Sequence, residues 1–257
     1  MLSMVGLVLA AGLAGWVDAI VGGGGLIQLP ALFGAYPQAA PATLMGTNKG
    51  AAIWGTGWAA SQYARRVTLR WAALGPAVAA AFVGAAGGAW LVTRLPARPL
   101  RVALPLVLLA LLLYTLARKD LGQHHAPRFA GRAEAAWASV LGGLIGLYDG
   151  AFGPGTGSFF VFAGVRWLGY DFLHASAHAK LLNAATNLAA LAWFGTRGHI
   201  WWAVALPMAV ANVAGSWLGT RTALRHGTGF VRGVFVAVVG ALIFKTGWDA
   251  AGVLGWR

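Results

Sequence analysis

A chain that repeats itself at one fixed spacing must fold into something with two equivalent halves, and this 257-residue chain does so at an offset of 131. Gly12, Gly15, Asp18, Gly22, Gly24, Lys49, Trp71, Pro76, Gly84, Gly88 and Arg94 return as Gly143, Gly146, Asp149, Gly153, Gly155, Lys180, Trp202, Pro207, Gly215, Gly219 and Arg225. The matched positions include acids, lysines, prolines and glycines, which an apolar chain has little reason to repeat by accident. Duplicated hydrophobic units with polar residues at equivalent depth are the plan of many transporters, whose binding sites lie where the repeats meet.

Composition narrows the class. With 59% hydrophobic and only 10% charged residues, the chain has too little polar surface to cover a soluble domain, so it reads as an all-α polytopic membrane protein lodged in the lipid bilayer. Its formal charge of +13 would suggest nucleic acid in a soluble protein. Here the arginines cluster between apolar runs (Arg65, Arg66 and Arg70; Arg221, Arg225 and Arg232), as topology signals do. No basic soluble module is present to bind nucleic acid. The absence of cysteine excludes disulfides and thiolate metal sites. The apolar N-terminus is expected to be retained rather than cleaved: no Lys or Arg precedes it, Asp18 occupies the place of a cleavage site, and Gly12 to Gly24 has its own repeat partner.

A spanning helix needs about 20 apolar residues. Residues 71–92, 100–116, 201–218 and 230–247 fit as simple spans, and 40–63 and 175–195 follow the same pattern with a lysine inside each. The stretch 2–35 is too long for one upright helix and is broken at Gly22, Gly23, Gly24 and Gly25; its counterpart 135–165 is broken at Gly153, Pro154, Gly155, Thr156 and Gly157. Each is expected to be a Gly-broken helical hairpin or broken pair around an unwound turn. The organisation is thus a first transmembrane repeat (1–118), a polar linker (119–132) and a second repeat (133–257). If each broken stretch goes in and returns, 11 Lys and Arg residues fall on the linker side and 5 on the other. The positive-inside rule then makes the halves inverted repeats with a cytoplasmic linker.

The polar residues inside the apolar runs carry the candidate chemistry. Unwound glycine segments expose backbone N–H groups, and the helix that follows points its positive end the same way, so Gly22 to Gly25 and Gly153 to Gly157 suit a small anion, with Thr156 and Ser158 adding hydroxyls. A lysine at mid-membrane costs about 3 kcal/mol or more and must face a counter-charge, which marks Lys49 and Lys180. Their neighbours Thr47 and Asn48, and His178, Asn183 and Asn187, complete the substrate-binding set. Asp18 and Asp149 precede the two turns and are expected either to neutralise the lysines or to hold a coupling proton.

Plainer roles are expected elsewhere. Gly84 and Gly88 have the spacing of close helix packing. Asp171, His174 and His178 resemble one edge of a metal site that lacks further ligands, while His124 and His125 read as solvated linker. No metal, cofactor or catalytic residue is expected; Ser158 and His178 lack the surroundings of a nucleophile and its base. Of the 13 tryptophans, Trp71, Trp167, Trp201, Trp202, Trp248 and Trp256 read as interfacial anchors, and Trp54 and Trp58 as core or pathway wall.

The segments GLAGWVDAIVGGGGLIQLPAL and GTNKGA, then GLYDGAFGPGTGSFF and ASAHAKLLNAATNLAAL, closely resemble the two halves of the TauE/SafE family of membrane transporters, also called sulfite exporters. That resemblance, covering residues 5 to 253, implies a multi-pass carrier of roughly eight spanning helices in the bacterial inner membrane. It also implies a small anionic substrate containing sulfur, such as sulfite or an organosulfonate. Trp16 and Trp54 depart from the family pattern, where smaller or aliphatic residues are common. The leading expectation is a secondary transporter, an exporter coupled to protons or to the anion gradient. An anion channel or uniporter would need no proton-binding acid, uptake with a cation is a third option, and an intramembrane enzyme is the reading of a different class.

Overall fold

The computed structural model describes residues 4–91, 109, 113 and 121–253, and all the regular structure among them is helical. In chain order the described helices are α1 (Met4–Val21), α2 (Gly25–Ala35), α3 (Pro41–Arg66), α4 (Trp71–Leu91), α5 (Gly131–Ala151), α6 (Thr156–Ala163) with a π-helical turn (Gly164–Leu168) after it, α7 (Phe172–Gly195) and α8 (Trp202–Val253). Shifting α1 to α4 by 131 residues lands on α5, α6, α7 and the first limb of α8, so the repeat in the sequence is a repeat of elements. α1, α4 and the part of α8 over Trp202–Ala241 are long and apolar enough to cross a membrane. The span expected at 100–116 lies almost wholly outside the described residues.

Local chemistry sets the breaks. α1 stops where Gly22 and Gly23 take φ of 80° and 99°, a left-handed backbone that side chains other than glycine's resist. The second hairpin turns in the same way at Gly153 and Gly155, with φ of 85° and 82°, and Pro154 between them has no N–H to continue a helix. α2 then returns beside α1: Leu7 and Ala11 share a buried cluster with Leu32 and Ala35. Both glycine breaks therefore make hairpins. The two spans expected at 201–218 and 230–247 are the two limbs of α8, which meet at Gly227, where φ of 70° and ψ of −163° are not helical.

The halves are interlaced. α1 packs on the first limb of α8, and α5 packs on α4, so the first helix of each half lies against the fourth helix of the other. The contacts are reciprocal: a side chain on Gly215 would strike the backbone of Gly12, one on Gly84 that of Gly143, one on Gly219 that of Trp16, and one on Gly88 that of Leu147. Each contact is another moved by 131 residues with the halves exchanged. This is the signature of an internal two-fold relationship. Gly84 and Gly88 thus do the packing work their spacing suggested.

The outer face is apolar. Leu9, Leu13, Val83 and Val210 are between 55% and 73% exposed, as suits side chains that meet lipid rather than water. Trp71, Trp167, Trp201, Trp202 and Trp248 are also exposed, consistent with interfacial anchoring. Trp54 and Trp58 correct the sequence reading. They are 55% and 40% exposed, so they point out of the bundle and wall no pathway.

Candidate functional site

α3 and α7, equivalent helices of the two halves, pack on each other in the middle of the molecule, and their inward faces meet the two glycine turns. Lys49 on α3 pairs with Asp149 at the end of α5 at 2.8 Å, and Lys180 on α7 pairs with Asp18 at the end of α1 at 3.1 Å. Each lysine thus neutralises the acid of the opposite half. The two pairs are one geometry used twice.

Further hydrogen bonds join them into a single chain. Lys49 also donates to Asn187 Oδ1 at 2.9 Å, the Asn187 amide donates to Thr56 Oγ1 at 3.3 Å, and Thr56 lies 3.4 Å from Asp18 Oδ2. At the outer ends, Thr156 Oγ1 donates to Asp149 Oδ1 at 2.7 Å, and the Gly24 N–H reaches Asp18 Oδ1 at 3.4 Å. Both lysines and both acids are at least nine-tenths buried. Buried charges persist only when paired and hydrogen-bonded, and here every one is.

A cavity of about 30 Å³ lies among these groups, room for a water or two. Of the residues expected at the site, Gly23, Gly24, Gly25, Asn48, Lys49, Gly153, Gly155, Thr156, Gly157, Asn183 and Asn187 line it, with Asp18 and Asp149. Lys180 approaches it through Asp18. α2 and α6 both begin there, so two helix N-termini face the same small space. The turns themselves touch: a side chain on Gly22 would strike the backbone of Gly157.

Besides Lys180, four expected residues stand outside the cavity lining, each with a structural occupation. Thr47 Oγ1 accepts the Trp201 N–H at 3.0 Å at the start of α8. Ser158 donates to the Val21 carbonyl at the end of α1. His178 donates from Nδ1 to the His174 carbonyl and lies at a tilt against Tyr170, its ring lining a separate cavity of about 20 Å³. Gly22 supplies the left-handed turn.

Three residues were missed in the sequence: Thr56, Gln28 and Asn212. Thr56 was findable, because it is the repeat partner of Asn187. Gln28 and Asn212 have the apolar partners Phe159 and Ala81 in the other half, so the repeat gave no signal for them. Gln28 Nε2 and Asn48 Oδ1 are buried and have no partner among the described residues. They leave one donor and one acceptor unclaimed at the cavity wall.

A second cluster lies where the linker meets α7. Asp171 caps the helix, accepting the His174 N–H at Oδ1 and facing the His174 imidazole at 2.7 Å through Oδ2. His125, expected to be solvated linker, lies at a tilt against His174 with ring centroids 3.9 Å apart. Burial opposes ionisation of Asp171, but hydrogen bonds from His174 outweigh it and hold the carboxyl below its ordinary pKa. Burial, with His174 adding to it, lowers the pKa of His125. Next to them, buried Glu134 accepts the Tyr170 hydroxyl at 2.6 Å and pairs with Arg70 at 3.0 Å.

An all-helical bundle with an apolar exterior, two interlaced repeats and paired charges at its centre defines the class as membrane transport protein. The chain belongs to the TauE/SafE sulfite exporter family, whose model matches residues 7–246. It is similar to the probable membrane transporter protein YfcA of Escherichia coli (strain K12), 36% identical over 246 residues that make up 95% of this chain and 90% of the relative. The probable membrane transporter protein ORF9 of a Sinorhizobium species is also 36% identical, over 93% of this chain and 90% of its own length. A probable membrane transporter protein of Haemophilus influenzae is 32% identical over 91% and 92%. No solved structure matches.

Proposed function

We propose that this transporter is a secondary carrier that exports small sulfur-containing oxyanions, sulfite or organosulfonates, across the bacterial inner membrane. The observation that carries the reading is the pair of cross-half bonds, Lys49 to Asp149 and Lys180 to Asp18, set against the two glycine turns. An entering oxyanion would take backbone N–H groups from the turns and draw a lysine away from its carboxylate. The released carboxylate would then take a proton that travels with the anion, so export would run down the anion's own gradient and respond to the pH difference across the membrane. A cavity of about 30 Å³ is too small for an oxyanion, so loading would part the halves, and two inverted repeats in a molecule of about eight spans would rock around the site. The enzyme reading gains no support, since the Ser158 hydroxyl is engaged by the Val21 carbonyl and His178 lines a separate cavity that Ser158 does not share.

The test is exchange of labelled sulfite in proteoliposomes at equal pH on both sides. The wild-type protein should exchange sulfite, and Lys180→Met should not, at equal insertion. Undiminished exchange by Lys180→Met would remove the lysine pairs from the anion site.

A further inference from the structure

The cluster on the linker has no part in the transport chemistry above, yet its three side chains converge. Asp171 Oδ2 lies 2.7 Å from His174 Nδ1 and 3.9 Å from His125 Nδ1. One ligand atom from each residue falls within 4.8 Å of the other two. Metal bonds of about 2.0–2.1 Å in tetrahedral array put neighbouring ligand atoms about 3.3 Å apart, and the two measured separations bracket that figure. Two imidazoles and one carboxylate, with His125 exposed, leave a fourth position to water.

The ligands are also held from behind. On either side of His125 the linker is pinned by backbone bonds: Phe172 N–H to Gly122 O at 3.0 Å, Ala126 N–H to Gly169 O at 2.9 Å and Arg128 N–H to Leu168 O at 2.9 Å. The His125 ring is stacked on Tyr170 and lies at a tilt against that of His174. Asp171 is fixed by its capping bond through Oδ1, which turns Oδ2 toward both imidazoles. Arg70, the nearby cation, is engaged by Glu134, and that pair neutralises its repulsion of a metal. A carboxylate fixed by its capping bond and imidazoles held by ring contacts and a pinned backbone are the preorganised donors that a metal site needs and a solvated linker does not.

We propose that His125, Asp171 and His174 bind one divalent transition metal ion of the zinc type, clamping the linker between the halves to the first turn of α7. Imidazole nitrogen with a single carboxylate suits Zn²⁺ or Co²⁺ rather than Mg²⁺ or Ca²⁺. Because α7 also carries Lys180, Asn183 and Asn187, metal on the linker acts on the helix that lines the central cavity.

The test uses the full chain without an affinity tag, stripped with a chelator in detergent and titrated with Co²⁺. The expected result is one saturating equivalent with the visible absorption of four-coordinate Co²⁺, displaced by Zn²⁺. His125→Ala, a change on the linker, should weaken Co²⁺ binding by more than about 100-fold, beyond the 10–100-fold typical of losing an outer partner. His174→Ala should do the same, and His124→Ala should leave binding unchanged. Failure of the wild-type chain to bind one equivalent, or binding that survives both His125→Ala and His174→Ala, would overturn the site. Sulfite exchange does not enter this readout, so its outcome stands apart from that of the proposed function.

Discussion

The side-chain amide of Asn187 donates to Thr56 Oγ1 at 3.3 Å, and these two residues stand at the 131-residue repeat spacing. A bond between equivalent positions lies where the halves exchange, and this one joins the Asp18 and Asp149 ion pairs. Thr56→Val keeps the shape but removes an acceptor and a donor, leaving a buried amide unpaired at a cost of about 1–3 kcal/mol. In that background the effects of Lys49→Met and Lys180→Met on unfolding should become additive. Denaturant unfolding of the four-variant cycle, with and without Thr56→Val, measures the change.

Removing one partner of a buried pair strands the other. Lys180→Met and Asp18→Asn should each destabilise the protein, Lys180→Met by about 3–5 kcal/mol. The double variant should recover much of that loss because no lone buried charge remains. Sulfite exchange should stay absent in it, which separates the structural work of the pair from its work on the anion.

Asp149→Asn retains a hydrogen-bonding side chain beside Thr156 and Lys49 but cannot take a proton. It should preserve sulfite exchange at equal pH and lose accumulation driven by a pH gradient. Unchanged accumulation would take Asp149 out of coupling and favour a uniporter or channel.

The glycine turns can be probed without wrecking the fold, provided the right glycine is chosen. A Cβ on Gly24 would strike the Ala14 carbonyl and the Asp18 side chain, whereas one on Gly25 meets nothing within 4 Å. Gly25 lines the cavity. Gly25→Ala should therefore insert and unfold like the wild-type protein while slowing sulfite exchange, and Gly24→Ala should be impaired in both assays.

Much of this arrangement was legible in the sequence because the repeat preserved it. Asp18, Lys49 and their partners are matched charges in apolar runs, and burial of a charge demands a counter-charge. The pairing across halves was left open, since either lysine had two acids to choose from. Thr47, Ser158 and His178 lie outside the cavity lining because polar residues in a helix also serve caps and carbonyls, a choice that depends on neighbours from distant elements. Trp54 misled because its place along α3 says nothing of which way it faces. His125 was beyond reach for a similar reason: only the backbone bonds from linker to residues 168–172 bring it to Asp171.

The Asp171 cap has a signed pH dependence. Its carboxyl is held below the ordinary value through bonds from His174, so the folded state binds its proton less readily than the unfolded chain. That stabilisation is full above the unfolded pKa and is lost as pH falls through the folded one. His125, whose pKa is lowered in the fold, adds a loss of stability as pH falls below its unfolded value. In metal-stripped protein, Asp171→Asn, which can still cap the helix, should be less stable than the wild-type protein near neutrality. The difference should shrink in acid, as followed by unfolding across pH.

The interlacing has an evolutionary consequence. A contact set in which Gly12 meets Gly215 while Gly143 meets Gly84 is that of an isologous dimer, with α1 of one copy lying on α4 of its mate. Had the halves once been separate identical subunits, the central position would have held one residue type facing itself across the axis. Joining the copies in one chain frees the two sides to differ. Thr56 opposite Asn187, and Gln28 without a polar counterpart, are the kind of asymmetry that two identical subunits cannot hold.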